Sequence, residues 1–152
     1  MKEVTLVIPA KKEPNALPVV LNELKNHYPN INIIIVMQKD DEETLKAIKD
    51  YDCKIVFQTG IGYGNAILEG IKKSETTYSC IFYADGSTDP KYISTMLDKS
   101  REKNLDVVFG SRYEKGAGSF DDDLITRVGN FFFTFLGNFL LRLNMTDILF
   151  TY

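Results

Sequence analysis

Apolar runs and amphipathic stretches alternate along this chain. Near-continuous apolar runs, as expected for strands covered on both faces, occupy residues 4–10, 31–38, 54–58, 78–84 and 106–113. Stretches with apolar residues at helical spacing lie near residues 16–27, 41–51, 64–73 and 90–103. This β-α-β-α order predicts an α/β fold, a Rossmann-like sandwich with a mostly parallel central sheet and helices on both faces.

Composition narrows the class of protein. The chain has 152 residues, 44% of them hydrophobic, which is enough for a single domain over residues 1–152 with its own core. A net charge of -3 argues against a nucleic-acid partner. Cys53 and Cys80 lie in apolar runs without metal-ligand spacing and are predicted to be buried thiols in a reducing compartment. The opening "MKEVTLVIPA" is typical of a first strand rather than a signal peptide, so we expect a cytoplasmic protein.

Polar segments follow every predicted strand. Ligands of parallel α/β sheets bind at the carboxyl ends of the strands, so these segments form the expected binding edge. In sequence order they are "PAKKEPN", "QKDDEE", "QTGIGYGN", "ADGSTDP" and "SRYEKGAG".

The segment "ADGSTDP" contains two aspartates with different expected roles. Asp89 precedes Pro90 and a helical pattern, which predicts that Asp89 caps that helix. Asp85 stands at a strand end before Gly86, where a carboxylate can face a ligand or a hard divalent cation. A turn-forming aspartate is the alternative interpretation of Asp85.

Two further groups of residues are candidates for phosphate binding. Gly60, Gly62 and Gly64 precede a helix without forming a dinucleotide fingerprint or a P-loop, so they predict either an anion cradle or a tight turn. Arg112 and Arg127 carry planar guanidinium groups that fit phosphate oxygens, and surface ion pairs are the alternative for both.

The last apolar stretch contains five phenylalanines. The run over residues 131–143 is interrupted by Gly137 and Asn138 and is shorter than a bilayer span. We expect residues 128–143 to form a helix that lies on a membrane surface, packs in a homo-oligomer or joins the core. The phenylalanines surround much of this helix, so one buried stripe does not cover them all.

Five segments in this order resemble the family 2 glycosyltransferases of GT-A fold. The resemblance is strongest to the branch that includes dolichyl-phosphate mannose synthase and bacterial polyprenyl-phosphate sugar transferases. The segments that carry it are "VIPAKKEPNALPVVL", "GIGYGNAILEGI", "YADGSTDP", "VVFGSRY" and "TRVGNFFFTFLGNFLLRLNMTDILFTY".

The resemblance implies an inverting hexosyltransferase. Such an enzyme moves a sugar from a nucleotide diphosphate sugar to an acceptor, and in this branch a polyprenyl phosphate is the candidate acceptor. It also implies Mg²⁺ or Mn²⁺ held by Asp85, with Arg112 and Arg127 holding phosphate groups and Asp147 as base for a hydroxyl acceptor. The expected location is the cytoplasm, at the inner face of the membrane. The residues implied in substrate binding are Pro9, Ala10, Glu13, Gly64, Asn65, Ala84, Asp85, Gly86, Arg112 and Arg127.

Three departures from the family pattern keep an alternative open. Tyr83 replaces the first carboxylate of the metal motif, and residues 37–39, Met-Gln-Lys, replace the acidic residues after the second strand. The sequence given ends at Tyr152, where the family continues, so a catalytic domain cut short at its C-terminus is expected. A non-catalytic nucleotide-sugar binding module is therefore the alternative function. A nucleotidyltransferase is less well matched. It would need a basic, glycine-rich loop directly after the first strand, and "PAKKEPNA" has lysines but no glycine.

Overall fold

The computed structural model describes residues 1–114, 116–117, 123–150 and 152. The chain divides into two compact units, unit 1 over residues 1–95 and unit 2 over residues 96–152. The expectation of a single domain over residues 1–152 stays a prediction.

Strands and helices of unit 1 alternate in the predicted order. They are β1 (Val4–Ala10), α1 (Ala16–His27), β2 (Asn32–Met37), α2 (Glu42–Ala47), β3 (Lys54–Phe57), α3 (Tyr63–Lys73), β4 (Tyr78–Ile81) and the start of α4 (Lys91–Lys103). The strand order is β3-β2-β1-β4, and each neighbouring pair is parallel. The predicted α/β fold, a parallel sheet flanked by helices, is confirmed.

The central strand β1 forms the core of unit 1. Six of its seven residues are buried, as its unbroken apolar sequence predicts. Ile8 pairs with Ile35 of β2, and neither side chain is exposed to solvent. Helix α1 buries an apolar stripe at helical spacing, which consists of Leu17, Val20, Leu21 and Leu24.

Gly70 sets the approach of α3 to the sheet. A Cβ atom at this position would lie 2.2 Å from Cγ1 of Val7 on β1 and 2.9 Å from Cγ2 of Val36 on β2. Because no side chain fits there, the helix backbone packs directly on these two strands. This close contact also fixes where the first residue of α3 stands at the binding edge.

The fifth predicted strand, over residues 106–113, is not formed. Val107 and Phe109 are exposed, although the apolar pattern of the segment is typical of a strand. The backbone amide of Gly110 donates a hydrogen bond to the carbonyl of Tyr152, within unit 2. A strand is defined by a ladder of such bonds to a neighbour, and this segment has no such ladder within the described residues. The prediction of a strand here was wrong.

Helix α5 (Leu124–Leu141) is the main element of unit 2. Asp123 caps it, because its side chain accepts a hydrogen bond from the Thr126 amide at 2.7 Å. The helix has 18 residues and is longer than the apolar run over residues 131–143 indicates. By length and composition alone it is long enough and apolar enough to cross a membrane, which corrects the expectation that this stretch is too short.

Candidate functional site

Four loops of unit 1 meet at the carboxyl edge of its sheet. Because all four strands are parallel, the segments that follow them leave the sheet on the same side. Pro9 and Ala10 end β1 at this edge, and Gly64 and Asn65 lie in the first turn of α3. Ala84 is buried just after β4. Most of the residues implied in substrate binding are thus in unit 1, at one edge.

Asp41 joins the loop after β1 to the start of α2. One of its carboxylate oxygens accepts the backbone amide of Lys12 at 2.6 Å, and the other accepts the amide of Thr44 at 3.3 Å. The Thr44 hydroxyl in turn accepts the backbone amide of Glu13 at 2.9 Å. Burial acts to raise the pKa of Asp41, but these hydrogen bonds outweigh it and leave the pKa below its usual value.

This junction orders the loop that follows β1, which belongs to the segment "VIPAKKEPNALPVVL". Lys12 has a φ of 59°, a left-handed conformation that a lysine rarely adopts. The hydrogen bond to Asp41 holds it there, so the backbone of Glu13 has a fixed position at the binding edge. Sequence reasoning missed this role of Asp41, although an aspartate directly before "EETLKA" is a helix-start signal.

Amide side chains hold the glycine-rich turn between β3 and α3. The Gln58 side-chain amide donates to the carbonyl of Gly62 at 2.8 Å and to Oδ1 of Asn65 at 3.0 Å. Gln38, at the end of β2, donates to Oε1 of Gln58 at 3.0 Å. Gly62 has a φ of 92°, which requires glycine, so the turn is both specified by sequence and fixed by hydrogen bonds.

Glu69 closes the same turn from within α3. Its carboxylate accepts the amide and hydroxyl of Thr59, at 3.1 and 2.8 Å, and the amide of Gly60 at 3.1 Å. The Thr59 hydroxyl is the main cause that lowers the pKa of Glu69, and the two amides add to it. An internal carboxylate therefore occupies the first amides of the turn, which favours the tight-turn interpretation over an anion cradle at these two residues.

The turn after β4 separates the two aspartates of "ADGSTDP". Asp89 accepts the backbone amide of Lys91 at 3.0 Å and pairs with its ammonium group, which confirms the predicted cap of α4. The hydrogen bond from the Lys91 side chain is the main cause that lowers the pKa of Asp89. Asp85 is exposed and accepts the amide of Ser87 at 2.9 Å, while Gly86 has a φ of 81°.

The residues around Asp85 can hold a divalent cation only together with a ligand. Among the described residues there is no group of three or more His, Cys, Asp or Glu side chains that could hold a metal ion. Tyr83 stands two residues before Asp85 and offers no carboxylate. Mg²⁺ commonly binds through one or two carboxylates plus substrate phosphates, and a single exposed carboxylate fits that mode.

Arg112 and Asp147 form a two-pronged ion pair in unit 2. Nε of Arg112 donates to Oδ2 of Asp147 at 2.8 Å, and Nη2 donates to Oδ1 at 3.0 Å. The backbone amide of Arg112 also donates to Oδ2 at 3.2 Å. The Asp147 side chain is fully buried and that of Arg112 is 20% exposed. The guanidinium also lies 5.2 Å from the centre of the Phe150 ring. Sequence reasoning named both residues but not their contact.

The polar face of α5 binds the segment that carries Asp147. Asn130 accepts the amide of Leu149 at 3.3 Å, and the Thr134 hydroxyl accepts the amide of Ile148 at 3.1 Å. Asn138 exchanges two hydrogen bonds with the backbone of Met145, at 2.8 and 3.0 Å. These three residues are four positions apart, so they form one stripe along the helix, which we call the polar stripe.

Most of the remaining surface of α5 is apolar and exposed. The phenylalanine side chains at this surface are between 51% and 75% exposed, and they belong to Phe131, Phe132, Phe133, Phe135 and Phe139. Arg127 is exposed in the first two turns of the helix, where its amide donates to the carbonyl of Asp123. The helix thus departs from the usual arrangement, because its polar stripe packs against residues 145–149 while its phenylalanines are exposed.

A cavity of about 250 Å³ opens at the opposite edge of the sheet in unit 1. It is lined by the beginnings of strands β1, β2 and β3, including Thr5, Asn32 and Lys54. None of the predicted site residues lies there. Ligands of such sheets bind at the carboxyl edge, so we place the candidate site at the loops described above.

Comparison with known proteins identifies the family. The family model "Glycosyl transferase family 2" matches residues 5–152, so this chain belongs to that family. The predicted family and its GT-A fold are confirmed.

Similar sequences include uncharacterized glycosyltransferases of Mycobacterium bovis and of two Mycobacterium tuberculosis strains. Each is 27% identical over 113 residues, which is 72% of this chain and 48% of the relative. The chain therefore spans about half the length of these curated relatives. Their names give no donor and no acceptor, so the branch near dolichyl-phosphate mannose synthase stays a prediction.

Proposed function

We propose that this chain carries the donor-binding part of an inverting glycosyltransferase that uses a nucleotide diphosphate sugar. The observation that carries this proposal is the ordered carboxyl edge of unit 1 in a family 2 chain. Asp41 fixes the loop after β1, and Gln58 fixes the turn before α3. A preformed edge of this kind binds a nucleotide without first having to order its loops. The ordered loops therefore support binding of the donor at this edge.

Asp85 is the residue proposed to hold Mg²⁺ or Mn²⁺ with the donor diphosphate. Such an ion neutralises the charge that builds up on the departing diphosphate. The carboxylate of Asp85 is exposed, so a cation and a diphosphate have access to it. The binding-module alternative requires the same donor contacts, and it is not favoured because the family model and the similar sequences are those of glycosyltransferases.

Arg112 and Arg127 are proposed to hold phosphate groups of donor or acceptor. Asp147 orients the Arg112 guanidinium through two hydrogen bonds, which is a positioning role. Because both oxygens of Asp147 are engaged, abstraction of a proton by this carboxylate would compete with the ion pair. A phosphate acceptor is already anionic and needs no base, so the pairing supports a lipid phosphate over a sugar hydroxyl.

The proposal includes a location at the inner face of the membrane, and what supports its membrane contact is helix α5. Its polar stripe is satisfied by residues 145–149, and its phenylalanine surface is available to acyl chains. A helix with this arrangement lies in the plane of a bilayer without burying an unpaired polar group. A polyprenyl phosphate acceptor would be reached from such a surface.

A thermal-shift panel tests the donor proposal. The parent chain is expected to be stabilised by at least one nucleotide diphosphate sugar, and more so with Mn²⁺ than without it. Asp85→Asn should lose the Mn²⁺-dependent part, and Asp50→Asn, an exposed aspartate away from the edge, is the matched control. If no nucleotide diphosphate sugar stabilises the parent chain, the proposed function is wrong.

A further inference from the structure

Two tyrosine rings stack on each other at the binding edge of unit 1. The ring centres of Tyr63 and Tyr83 are 6.3 Å apart, and their planes differ by only 9°. Tyr63 is the first residue of α3, and Tyr83 follows β4 by two residues. Helix α3 packs on β1 and β2, and β4 pairs with β1. The contact between the two rings therefore joins the start of α3 to the turn after β4.

The backbone around both rings is fixed. The carbonyl of Gly62, directly before Tyr63, accepts the Gln58 side-chain amide at 2.8 Å. The amide of Tyr83 donates to the hydroxyl of Thr88 at 3.4 Å, and Thr88 is itself buried. The ring pair therefore sits on two ordered turns, so little side-chain freedom is lost when a ligand contacts it.

Both rings of the pair are partly exposed to solvent. Tyr63 is 44% exposed and Tyr83 is half-buried, whereas Phe82, the residue before Tyr83, is only 1% exposed. The strand end thus places one aromatic side chain in the core and the next at the surface of the binding edge. An exposed pair of parallel rings is a stacking surface for a third planar ring.

We propose that Tyr63 and Tyr83 form an aromatic platform that binds the nucleobase of the donor. This inference rests on the proposed function and names a recognition element for it. Asp85, two residues after Tyr83, is proposed to face the diphosphate through a cation. The platform faces the other end of the same molecule, the planar base. Tyr83 therefore takes part in donor binding by stacking, at a position where it supplies no carboxylate to a metal.

Calorimetric titration with four nucleoside diphosphates, UDP, GDP, ADP and CDP, tests the platform. Inorganic pyrophosphate, which has the diphosphate but no base, is titrated in parallel. The variants are Tyr63→Ala, Tyr83→Ala and Tyr83→Phe. Tyr92→Ala, a change at an exposed tyrosine of α4 in the same unit, is the matched control. Thermal melting of each variant without ligand is recorded, so that a loss of folding is separated from a loss of stacking.

Each alanine variant should bind the best nucleoside diphosphate about tenfold or more weakly, as expected for the loss of one stacked ring. Tyr83→Phe and Tyr92→Ala should bind it like the parent, and the affinity for pyrophosphate should be the same in all. The platform is overturned if the alanine variants keep the parent affinity, or if pyrophosphate binding falls in parallel. In the first case nucleotide binding by the parent still supports the proposed function. If the parent binds none of the nucleotides, both proposals fail.

Discussion

Replacement of Asp147 by asparagine tests whether this residue holds Arg112 in place. The change keeps the size of the side chain but removes its charge. One of the two oxygens becomes an NH₂ group that faces a guanidinium donor. Of the three hydrogen bonds from Arg112, at 2.8, 3.0 and 3.2 Å, only those to the remaining oxygen can persist.

The expected loss of stability follows from burial. Removal of one partner of a buried ion pair typically costs about 3–5 kcal/mol, because the other charge is left uncompensated. The Arg112 side chain is 20% exposed, so water relieves part of this penalty, and asparagine keeps one acceptor. We therefore expect a loss of about 2–3 kcal/mol in the free energy of unfolding for Asp147→Asn. Asp147→Ala should lose more.

Urea denaturation followed by far-UV circular dichroism measures this loss. Asp98→Asn, an exposed aspartate of α4 in unit 2, is the control and should unfold like the parent. The double variant Arg112→Met, Asp147→Leu should recover much of the lost stability, because no charge remains unpaired. An Asp147→Asn chain with the parent's stability would refute the positioning role. If that chain also failed to transfer sugar to a hydroxyl acceptor, the role of catalytic base would be the better assignment for Asp147.

The other predictions concern the turn after β4, the acid response and the membrane. In calorimetry with the best donor, Asp85→Asn should abolish metal-dependent donor binding without a loss of stability. Asp89→Ala should lower the free energy of unfolding by about 0.5–2 kcal/mol, through the lost helix cap, but should still bind the donor. Equal donor and metal binding by Asp85→Asn and the parent would contradict the mechanism. Tyr83→Asp should tighten Mn²⁺ binding in a titration with inorganic pyrophosphate, which has no base to lose a stacking contact, and unchanged affinity would show that the turn does not accept a second carboxylate. Because the folded-state pKa of Asp41 lies below 3.8, its stabilising contribution is complete above that pH and is lost as the pH falls through the lower folded-state pKa. Urea midpoints of Asp41→Asn should therefore depend less on acid pH than those of the parent, and parallel curves would contradict this. The chain should sediment with anionic liposomes through α5, and replacement of Phe131 and Phe139 by serine should abolish this; sedimentation of the serine variant would exclude the helix as the contact.

The architecture of unit 1 could be predicted because its signals are local. The apolar run of β1 and the helical spacing of α1 each determine an element without reference to distant residues. The cap at Asp89 was equally readable, since aspartate before proline at a helix start has a local cause. Residues 106–113 show the limit of such signals. Their apolar pattern suits a strand, but strand formation also depends on a neighbour that the pattern does not name.

The contacts of the candidate site were hidden because they join distant residues. Arg112 and Asp147 are 35 positions apart, and Lys12 and Asp41 are 29 positions apart. Each of these four residues is ordinary in its own segment, and the pairing exists only in the folded chain. The polar stripe of α5 can be seen in the sequence as three polar residues, each four positions after the last, in an apolar helix. Its binding partner could not be predicted, because that partner is the backbone of residues 145–149.

The polar stripe also fixes the rotation of α5 about its own axis. Asn130, Thr134 and Asn138 are held by residues 145–149, so the helix cannot turn to present another side. Phe139 follows Asn130 by nine residues, which at about 100° per residue places it on roughly the opposite side of the helix. Its ring lies parallel to that of Phe135 at 6.5 Å. A bilayer would therefore meet a predetermined edge of the helix, and probes attached along it should report depths that repeat with the helical period.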